Sequence, residues 1–211
     1  TGLDRDYITD WSYGIGETFT FLIPDFKGGA SEAIQTNNKD VLKSVDSNYR
    51  QYVGSFGSYF GDQPFTGGPL YIGAILVMLF VVGLLIIQGP LKWWILISTT
   101  LSIFLGWGKY FMSFTNFFLD NVPGYDKFRA VTTTLVIAEF TIPLMAVLVI
   151  DKLVKDENFF ATYRKKLLMG MGVVIGFVGL FGWRYYNSYV KEQSEVSAAE
   201  YQQTMQLLAE Q

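Results

Sequence analysis

The residues of this chain that could do chemistry are carboxylates, lysines, arginines and tyrosines, because it contains no cysteine and no histidine. Thiol chemistry and an imidazole acid, base or metal ligand are therefore excluded from these 211 residues. No cofactor is evident from the side chains that remain, and we predict no metal site. A net charge of −3 gives no bulk attraction to nucleic acid, so no nucleic-acid partner is expected.

Glu139 is the most informative single residue, because it interrupts a long apolar block. A carboxylate in a membrane costs about 2.5 kcal/mol or more on insertion scales, so it usually faces protein or water. We expect Glu139 to be buried mid-span, with Thr132 on the same helix face and a local break near Pro143. Two interpretations stay open: a cavity-lining acid that binds a cation, a hydroxyl or a proton, or a protonated acid that hydrogen-bonds a neighbouring helix.

A basic group, Lys109, Lys127 and Arg129, lies where two apolar blocks meet a phenylalanine-rich loop. Lysine and arginine at the depth of a membrane surface bind anions well, and a lipid phosphate is the obvious anion there. The alternative is that these bases only extend from helix ends to the lipid headgroups, which is common and is favoured when the three residues are taken alone.

The amino-terminal segment places acids among aromatic rings, with Asp10 and Glu17 interspersed with Trp11, Tyr13 and Phe19. Rings can stack on the apolar face of a sugar while carboxylates bind its hydroxyls. A charged, solvated loop has the same composition, so Asp10 and Glu17 are weaker candidates for substrate binding than the basic group.

The elements that must position these residues are four apolar blocks, predicted to be transmembrane helices over residues 69–88, 93–110, 131–150 and 167–186. A bilayer core of about 30 Å needs roughly 20 apolar residues in a helix. The blocks have no period-2 alternation, which argues against barrel strands. The predicted fold is therefore an all-α integral membrane protein with four transmembrane helices.

Orientation follows from the distribution of lysine and arginine, which are most frequent in cytoplasmic loops. Five of them lie between residues 151 and 166, so we expect this turn in the cytoplasm and both chain ends on the extracytoplasmic side. The predicted location is a bacterial inner membrane. Residue 1 is not methionine and no signal peptide opens the chain, so we expect a fragment of a longer protein.

Three regions result from this division. Residues 1–66 form an extracytoplasmic segment with one clear helix at 38–52, capped by Asn38. Residues 67–186 form the transmembrane region, whose loop at 111–130 is predicted as an interfacial helix that ends at Pro123. Residues 187–211 form a tail in which Ser197 and Glu200 make a capping box that opens a short helix.

Five runs of sequence resemble the YfhO-like bacterial membrane proteins. They are residues 11–18 (WSYGIGET), 24–29 (PDFKGG), 59–68 (YFGDQPFTGG), 106–109 (GWGK) and 123–129 (PGYDKFR). That family is similar to the GT-C glycosyltransferases, which have many membrane helices and extracytoplasmic loops. The resemblance implies that the four helices belong to a larger GT-C-like helical domain formed with the remainder of the protein's own chain.

The same resemblance implies transfer of a sugar from a polyprenyl-phosphate carrier to an acceptor of the cell envelope. A general base would deprotonate the acceptor hydroxyl, and the basic group would hold the departing lipid phosphate. No motif identifies the base. Two alternatives remain: a transporter or flippase for a lipid-linked or anionic substrate, with Glu139 lining the path, and a non-catalytic membrane assembly protein.

Overall fold

The computed structural model describes residues 2–34, 39–68 and 70–209. Most of them are helical, and a small two-stranded sheet is the other regular element in the described part of the chain. The chain divides into two compact units, Thr1–Thr162 and Tyr163–Gln211, and the second unit consists mainly of the greater part of the last helix.

The amino-terminal segment contains more regular structure than the single helix predicted for it. Helix α1 (Arg5–Thr9) is capped by Asp4, whose side chain accepts hydrogen bonds from amides of the first turn. A 3₁₀ helix (Gly16–Phe21) follows. Strand β1 (Gly28–Ala33) then pairs antiparallel with strand β2 (Gly57–Tyr59). The fold is therefore mostly helical rather than all-helical.

The helix predicted over residues 38–52 is replaced by two short helices, α2 (Lys39–Lys43) and α3 (Arg50–Ser55). Between them, the Asp46 side chain accepts a hydrogen bond of 2.9 Å from the Asn48 backbone amide. This contact stabilises a turn in competition with a helix. The prediction of one continuous helix was wrong, and its capping residue Asn38 lies outside the described residues.

Each of the four apolar blocks contains a helix, although the bounds differ from the predicted spans. The later helices in chain order are α4 (Ala74–Ile86), α5 (Pro90–Gly106), α6 (Met112–Asn121) in the phenylalanine-rich loop, α7 (Val136–Lys155) and α8 (Phe159–Ala209). By length and composition, two stretches are able to cross a membrane, Val131–Lys155 with 25 residues and Phe159–Arg184 with 26.

The first two apolar blocks give shorter or bent helices. Helix α4 has only 13 residues, because the chain before it is held by the amino-terminal segment through a 3.0 Å hydrogen bond from the Gly73 amide to the Phe21 carbonyl. Helix α5 and the helical stretch Gly108–Asn121 meet at an angle of 109° and make a third candidate if the pair is one broken span. Four complete spans therefore stay a prediction.

Gly108 makes the bend between these two helices possible. Its φ of +45° lies in the left-handed region that favours glycine, and a Cβ there would overlap the Ser12 hydroxyl. After the bend, α6 ends at Asn121 and the chain turns at Pro123, as predicted for this loop. The bend turns the phenylalanine-rich loop away from the axis of α5.

Helix α8 runs without interruption to Ala209, through the residues predicted to begin a separate tail helix. Ser197 lies inside it, so the prediction of a capping box was wrong. Residues 184–209 contain no glycine and no proline, and lysine, glutamate, glutamine and alanine favour a helix throughout this stretch. Nothing in the local sequence ends the helix before position 197.

Helix α7 is the centre of the first unit, since both α4 and α5 pack against it. Its buried side chains include Ala138, Met145 and Val149. Polar contacts add to this packing: the hydroxyls of Thr99 and Thr141 are 2.7 Å apart, and Ser102 on α5 donates a hydrogen bond of 2.7 Å to a carbonyl in the turn before α7. The start of α7 is thereby fixed against the end of α5.

Residues 11–13 of the amino-terminal segment fit into the junction where α5 ends and α7 begins. The Tyr13 amide donates a hydrogen bond of 2.8 Å to the Gly106 carbonyl, and the Ser12 hydroxyl accepts one of 2.8 Å from the Lys109 amide. The Thr132 amide reaches the Trp11 carbonyl at 3.4 Å. These bonds attach the acid- and aromatic-rich segment to one end of the helix pair.

Candidate functional site

An open pocket of about 520 Å³ lies at this junction. Pockets for small molecules have volumes of about 300–1,000 Å³. Its wall is mostly apolar by area and also presents hydroxyl, amide and carboxylate groups. The lining residues are Tyr13, Gln63, Thr66, Gly68, Leu70, Thr132, Thr133, Leu135, Val136 and Glu139. One carboxylate and no lysine or arginine stand among them, so the pocket suits a neutral group rich in hydroxyls better than an anion.

Glu139 is exposed and lies in the first turn of α7. The prediction of a buried acid in mid-span was wrong, because α7 extends to Lys155 and its middle lies further along the chain. A helix amino terminus favours a carboxylate, since the helix dipole is positive there. Thr132, predicted on the same face, lines the same pocket as Glu139. The helix continues through Pro143, so the predicted break there was also wrong.

Tyr13 forms the buried part of the pocket wall, with 4% of its side chain exposed. Its hydroxyl is hydrogen-bonded to that of Thr20, which in turn lies 3.0 Å from the Leu70 carbonyl. Burial has the largest effect and raises the pKa of Tyr13, the hydrogen bond to Thr20 has the next largest effect and lowers it, and the carboxylates of Glu17 and Glu139 each raise it by less. Tyr13 is therefore a protonated phenol close to both acids.

Glu17 lies behind the pocket wall and is 2% exposed. One of its oxygens, Oε2, accepts a hydrogen bond of 2.8 Å from the Gly14 amide, and the other, Oε1, accepts one from the Tyr59 hydroxyl. A buried carboxylate requires such donors, because an unpaired charge is very costly away from water. Glu17 was predicted as a substrate-binding residue, but it is absent from the pocket lining.

Asp62 joins Glu17 in this region and was not singled out in the sequence. A Cβ on Gly14 would overlap the Asp62 carboxylate, and a Cβ on Gly61 would overlap the Glu17 carboxylate and the Tyr59 hydroxyl. The signal that could have revealed these contacts is the pair of glycines, each next to an aromatic or acidic residue. Only the folded chain shows which side chain occupies the space that each glycine leaves.

The basic group lies outside the pocket lining. The Arg129 guanidinium is stacked over two rings of the amino-terminal segment, 4.9 Å from the centroid of Tyr7 and 4.4 Å from that of Trp11. The Lys109 amine is exposed and lies 5.3 Å from the Tyr110 ring centroid. The Lys127 amine is 4.0 Å from an Asp126 oxygen. Arg129 thus joins the loop to α1, whereas Lys109 reaches into solvent.

Asp10, the remaining predicted site residue, directly follows α1 and is exposed. It does not line the pocket. Within α1 itself, Arg5 connects the helix to α6, since it forms an ion pair of 2.6 Å with Asp120. Of the six predicted candidates, the structure brings Glu139 into the pocket and Glu17 behind its wall, and it leaves the other four outside.

No group of three or more Asp, Glu, His or Cys side chains that could bind a metal occurs among the described residues. The chemistry available to the pocket from the residues that line it is proton transfer by a carboxylate and hydrogen bonding by hydroxyl and amide groups.

Comparison with known proteins reaches only the carboxyl-terminal part of the chain. Residues 157–211 are similar to a tetratricopeptide repeat-like domain. Such repeats are pairs of helices of about 34 residues that stack into binding surfaces. The matched residues include the apolar stretch Phe159–Arg184 and the remainder of α8. No curated protein and no solved structure matches the chain.

Proposed function

We propose that the chain is a segment of a GT-C-like membrane glycosyltransferase that uses a polyprenyl-phosphate-linked sugar on the extracytoplasmic side. The observation that carries the proposal is the pocket at the start of α7, which combines an exposed carboxylate with several hydroxyl and amide groups. A sugar or another polyol offers the hydroxyls that such a lining binds.

Glu139 is the proposed general base. Its carboxylate is the acid that lines the pocket, so an acceptor hydroxyl bound there would lie within reach of it. The base takes the hydroxyl proton as the acceptor oxygen attacks the anomeric carbon, and the bond from that carbon to the lipid phosphate breaks. Tyr13 and Thr132 line the same pocket and would orient the acceptor.

The lipid phosphate is expected to bind outside this pocket, since no lysine or arginine lines it among the residues that the structure describes. Lys109 is the best candidate to hold the phosphate, because its amine is exposed and the Ser12 contact fixes its backbone next to the pocket wall. A cation at this position would stabilise the negative charge that develops on the leaving phosphate.

Transfer of a radiolabelled sugar from a polyprenyl-phosphate sugar to envelope acceptors, measured in vesicles containing the full-length protein, tests the proposal. Glu139→Gln is expected to lower kcat by about 10²-fold or more, because it removes the base but keeps the shape. Lys109→Ala is expected to raise the KM for the lipid-linked donor. Glu157→Gln and Lys165→Ala are matched controls at exposed positions outside the pocket lining. Unchanged product with both test variants would contradict the proposal.

An assembly role is the second candidate, favoured by the similarity of residues 157–211 to a tetratricopeptide repeat-like domain. Such domains bind other proteins through stacked helices. This alternative predicts that Glu139→Gln has no effect, whereas deletion of residues 187–211 abolishes co-purification of partner proteins.

Transport of a lipid-linked or anionic substrate is a weaker alternative. It rested on Glu139 lining a path and on a helix break at Pro143, whereas α7 is continuous through Pro143. The 109° bend between α5 and the Gly108–Asn121 stretch is the feature that still favours it, since transporters use broken helices. Movement of a fluorescent lipid-linked sugar from one leaflet of the vesicle membrane to the other, without transfer to an acceptor, would support transport in place of the transferase reaction.

A further inference from the structure

We propose that Glu17 is a positioning residue that holds two walls of the pocket together, a role that rests on the proposed function only for its kinetic consequence. Glu17 does not itself line the pocket. Its two carboxylate oxygens bind two segments of chain that each contribute a lining residue.

The first wall is attached through the backbone. Glu17 Oε2 accepts a hydrogen bond of 2.8 Å from the Gly14 amide. Gly14 directly follows Tyr13, whose ring lines the pocket and whose own amide is bonded to the Gly106 carbonyl at 2.8 Å. The carboxylate therefore fixes one end of a short segment whose other end is held by α5.

The second wall is attached through Tyr59. The Tyr59 hydroxyl donates to Glu17 Oε1 and accepts a hydrogen bond of 2.9 Å from the Gln63 amide. Gln63 lines the pocket. The walls formed by Tyr13 and Gln63 are thus joined through one buried carboxylate, although the two residues are far apart in the sequence.

The chemistry of the carboxylate makes this link specific. An ionised carboxylate accepts hydrogen bonds but donates none, so both partners must be donors. Burial and the hydrogen bond to Glu17 raise the pKa of Tyr59, which keeps its hydroxyl protonated. A glutamine at position 17 would keep its carbonyl oxygen toward the Gly14 amide and would turn its amide donor toward the Tyr59 hydroxyl, which already accepts from Gln63, so the charge-assisted bond that Tyr59 donates would be lost.

Gly61 provides an independent check on the same geometry. A Cβ at this position would overlap both the Glu17 carboxylate and the Tyr59 hydroxyl. Gly61→Ala therefore displaces the link without removing any of its polar groups. If Glu17 positions the walls, this variant and the Glu17 variants have the same consequence for the pocket.

Thiol labelling measures the pocket without any ligand, because the chain has no cysteine of its own. Thr133 lines the pocket and is exposed, so Thr133→Cys in the full-length protein reports its access. Glu17→Gln, Tyr59→Phe and Gly61→Ala are each expected to change the rate of maleimide labelling at this cysteine by about threefold or more, as the loss of a hydrogen bond to a charged group allows. Labelling of Glu157→Cys, outside the lining, should not change, and Asp10→Asn is the matched control for Glu17→Gln.

The kinetic readout separates positioning from catalysis. In the transferase assay, Glu17→Gln and Tyr59→Phe should each raise the KM for the acceptor by about tenfold while changing kcat less than about twofold, since the base is intact. The double variant should be no worse than the worse single variant, because both substitutions act on the same link, the hydrogen bond between Glu17 and Tyr59. Tyr59→Phe changes little volume and keeps the test usable if Gly61→Ala does not fold.

Unchanged labelling of Thr133→Cys in both Glu17→Gln and Tyr59→Phe would overturn the positioning role, whatever the reaction. A fall in kcat without a rise in KM would overturn it as well, because Glu17 would then act in the chemical step. Altered labelling, in a protein whose unmodified form also shows no sugar transfer, supports the positioning role and contradicts the proposed function. The failure of the positioning role and the failure of the proposed function are therefore distinguishable.

Discussion

Glu139 and Glu17 are carboxylates of the same region with opposite surroundings. Glu139 is exposed in the first turn of α7, where the helix dipole favours its charge and a ligand can reach it. Glu17 is buried, and each of its oxygens has a donor. A side chain whose hydrogen-bonding capacity is used by the protein serves the fold, whereas one that faces a pocket is available to a ligand.

Two tyrosines, the buried Tyr13 and the half-buried Tyr59, predict how stability depends on pH. The pKa of Tyr59 is raised above the ordinary value of 10.0 by burial and by Glu17, and that of Tyr13 is raised mainly by burial. In the unfolded chain these phenols ionise near pH 10, while in the folded protein they stay neutral. Their contribution to stability is fully present below pH 10 and is lost as the pH rises from there toward the folded-state values.

Thermal unfolding in detergent between pH 9 and pH 11 checks this expectation. The midpoint temperature should fall above about pH 10, and Tyr59→Phe should make the fall shallower. Tyr52→Phe is the matched control, because the Tyr52 side chain is 68% exposed. A slope that is the same with and without the Tyr59 hydroxyl would contradict the assignment of this effect to Tyr59.

Arg129 carries a second prediction at the residue scale. Its guanidinium stacks over the rings of Tyr7 and Trp11, so Arg129→Ala should release α1 from the phenylalanine-rich loop at a cost of about 0.5–1 kcal/mol. Faster amide hydrogen exchange in residues 5–13 would register the change. Lys127→Ala, in the same loop, is the control, and equal exchange in both variants would show that the stacking does not hold α1.

At the scale of elements, helices α5 and α7 are joined by hydroxyls as well as by apolar packing. Thr99 and Thr141 lie 2.7 Å apart, and both are buried. Hydrogen bonds between membrane helices contribute about 0.6 kcal/mol on average, because the separated helices find other partners.

Thr99→Val should therefore lower the free energy of unfolding by about 0.6 kcal/mol and should not be additive with Thr141→Val. Reversible unfolding in mixed micelles would measure both variants. Thr100→Val, at the next position of α5, is the control. Additive losses from the two valine variants would mean that the hydroxyls act separately and not as a pair.

Local sequence predicted the presence of helices better than their bounds. The apolar blocks predict helices because the necessary information lies within each block. The start of α4 depends on Gly73 bonding to Phe21, a contact made across many residues of sequence. The helix predicted over residues 38–52 was wrong for a local reason, the Asp46 turn, which competes with helical hydrogen bonds over a few residues.

For the whole molecule, the two stretches that can cross a membrane and the bent pair leave a specific question of topology. Four spans, or the two long stretches alone, put residues 1–66 and the end of the second candidate helix on the same side, whereas three spans put them on opposite sides. Single cysteines at Ser47, Asn187 and Glu157 distinguish these arrangements in a chain without cysteine of its own.

Under the four-span prediction, a membrane-impermeant thiol reagent added outside intact cells labels Ser47→Cys and Asn187→Cys but not Glu157→Cys. Permeabilised cells, in which all three positions should react, are the control for folding and access. Labelling of Ser47→Cys and Asn187→Cys from opposite sides would contradict four spans and would indicate an odd number of crossings.

The candidate site was predictable from the sequence only in part. The sequence predicted Glu139 as a site residue because a charge in an apolar block is costly in a membrane. Glu139 does line the pocket, although it lies near a helix end. Tyr13 and Gln63 carried no such signal, because neither is unusual in its local sequence. Their role depends on the meeting of residues 11–13 with the ends of two distant helices, and that meeting is a property of the tertiary fold.

That meeting point has a mechanical consequence. Residues 11–13 are bonded on one side to the end of α5, through Tyr13 and Gly106, and on the other to the start of α7, through Trp11 and Thr132. Tyr13 cannot keep its place if those two helix ends move apart or slide past each other. For the membrane location that we predict, a change in bilayer thickness that alters the tilt of α5 and α7 would move these two helix ends and change the width of the pocket.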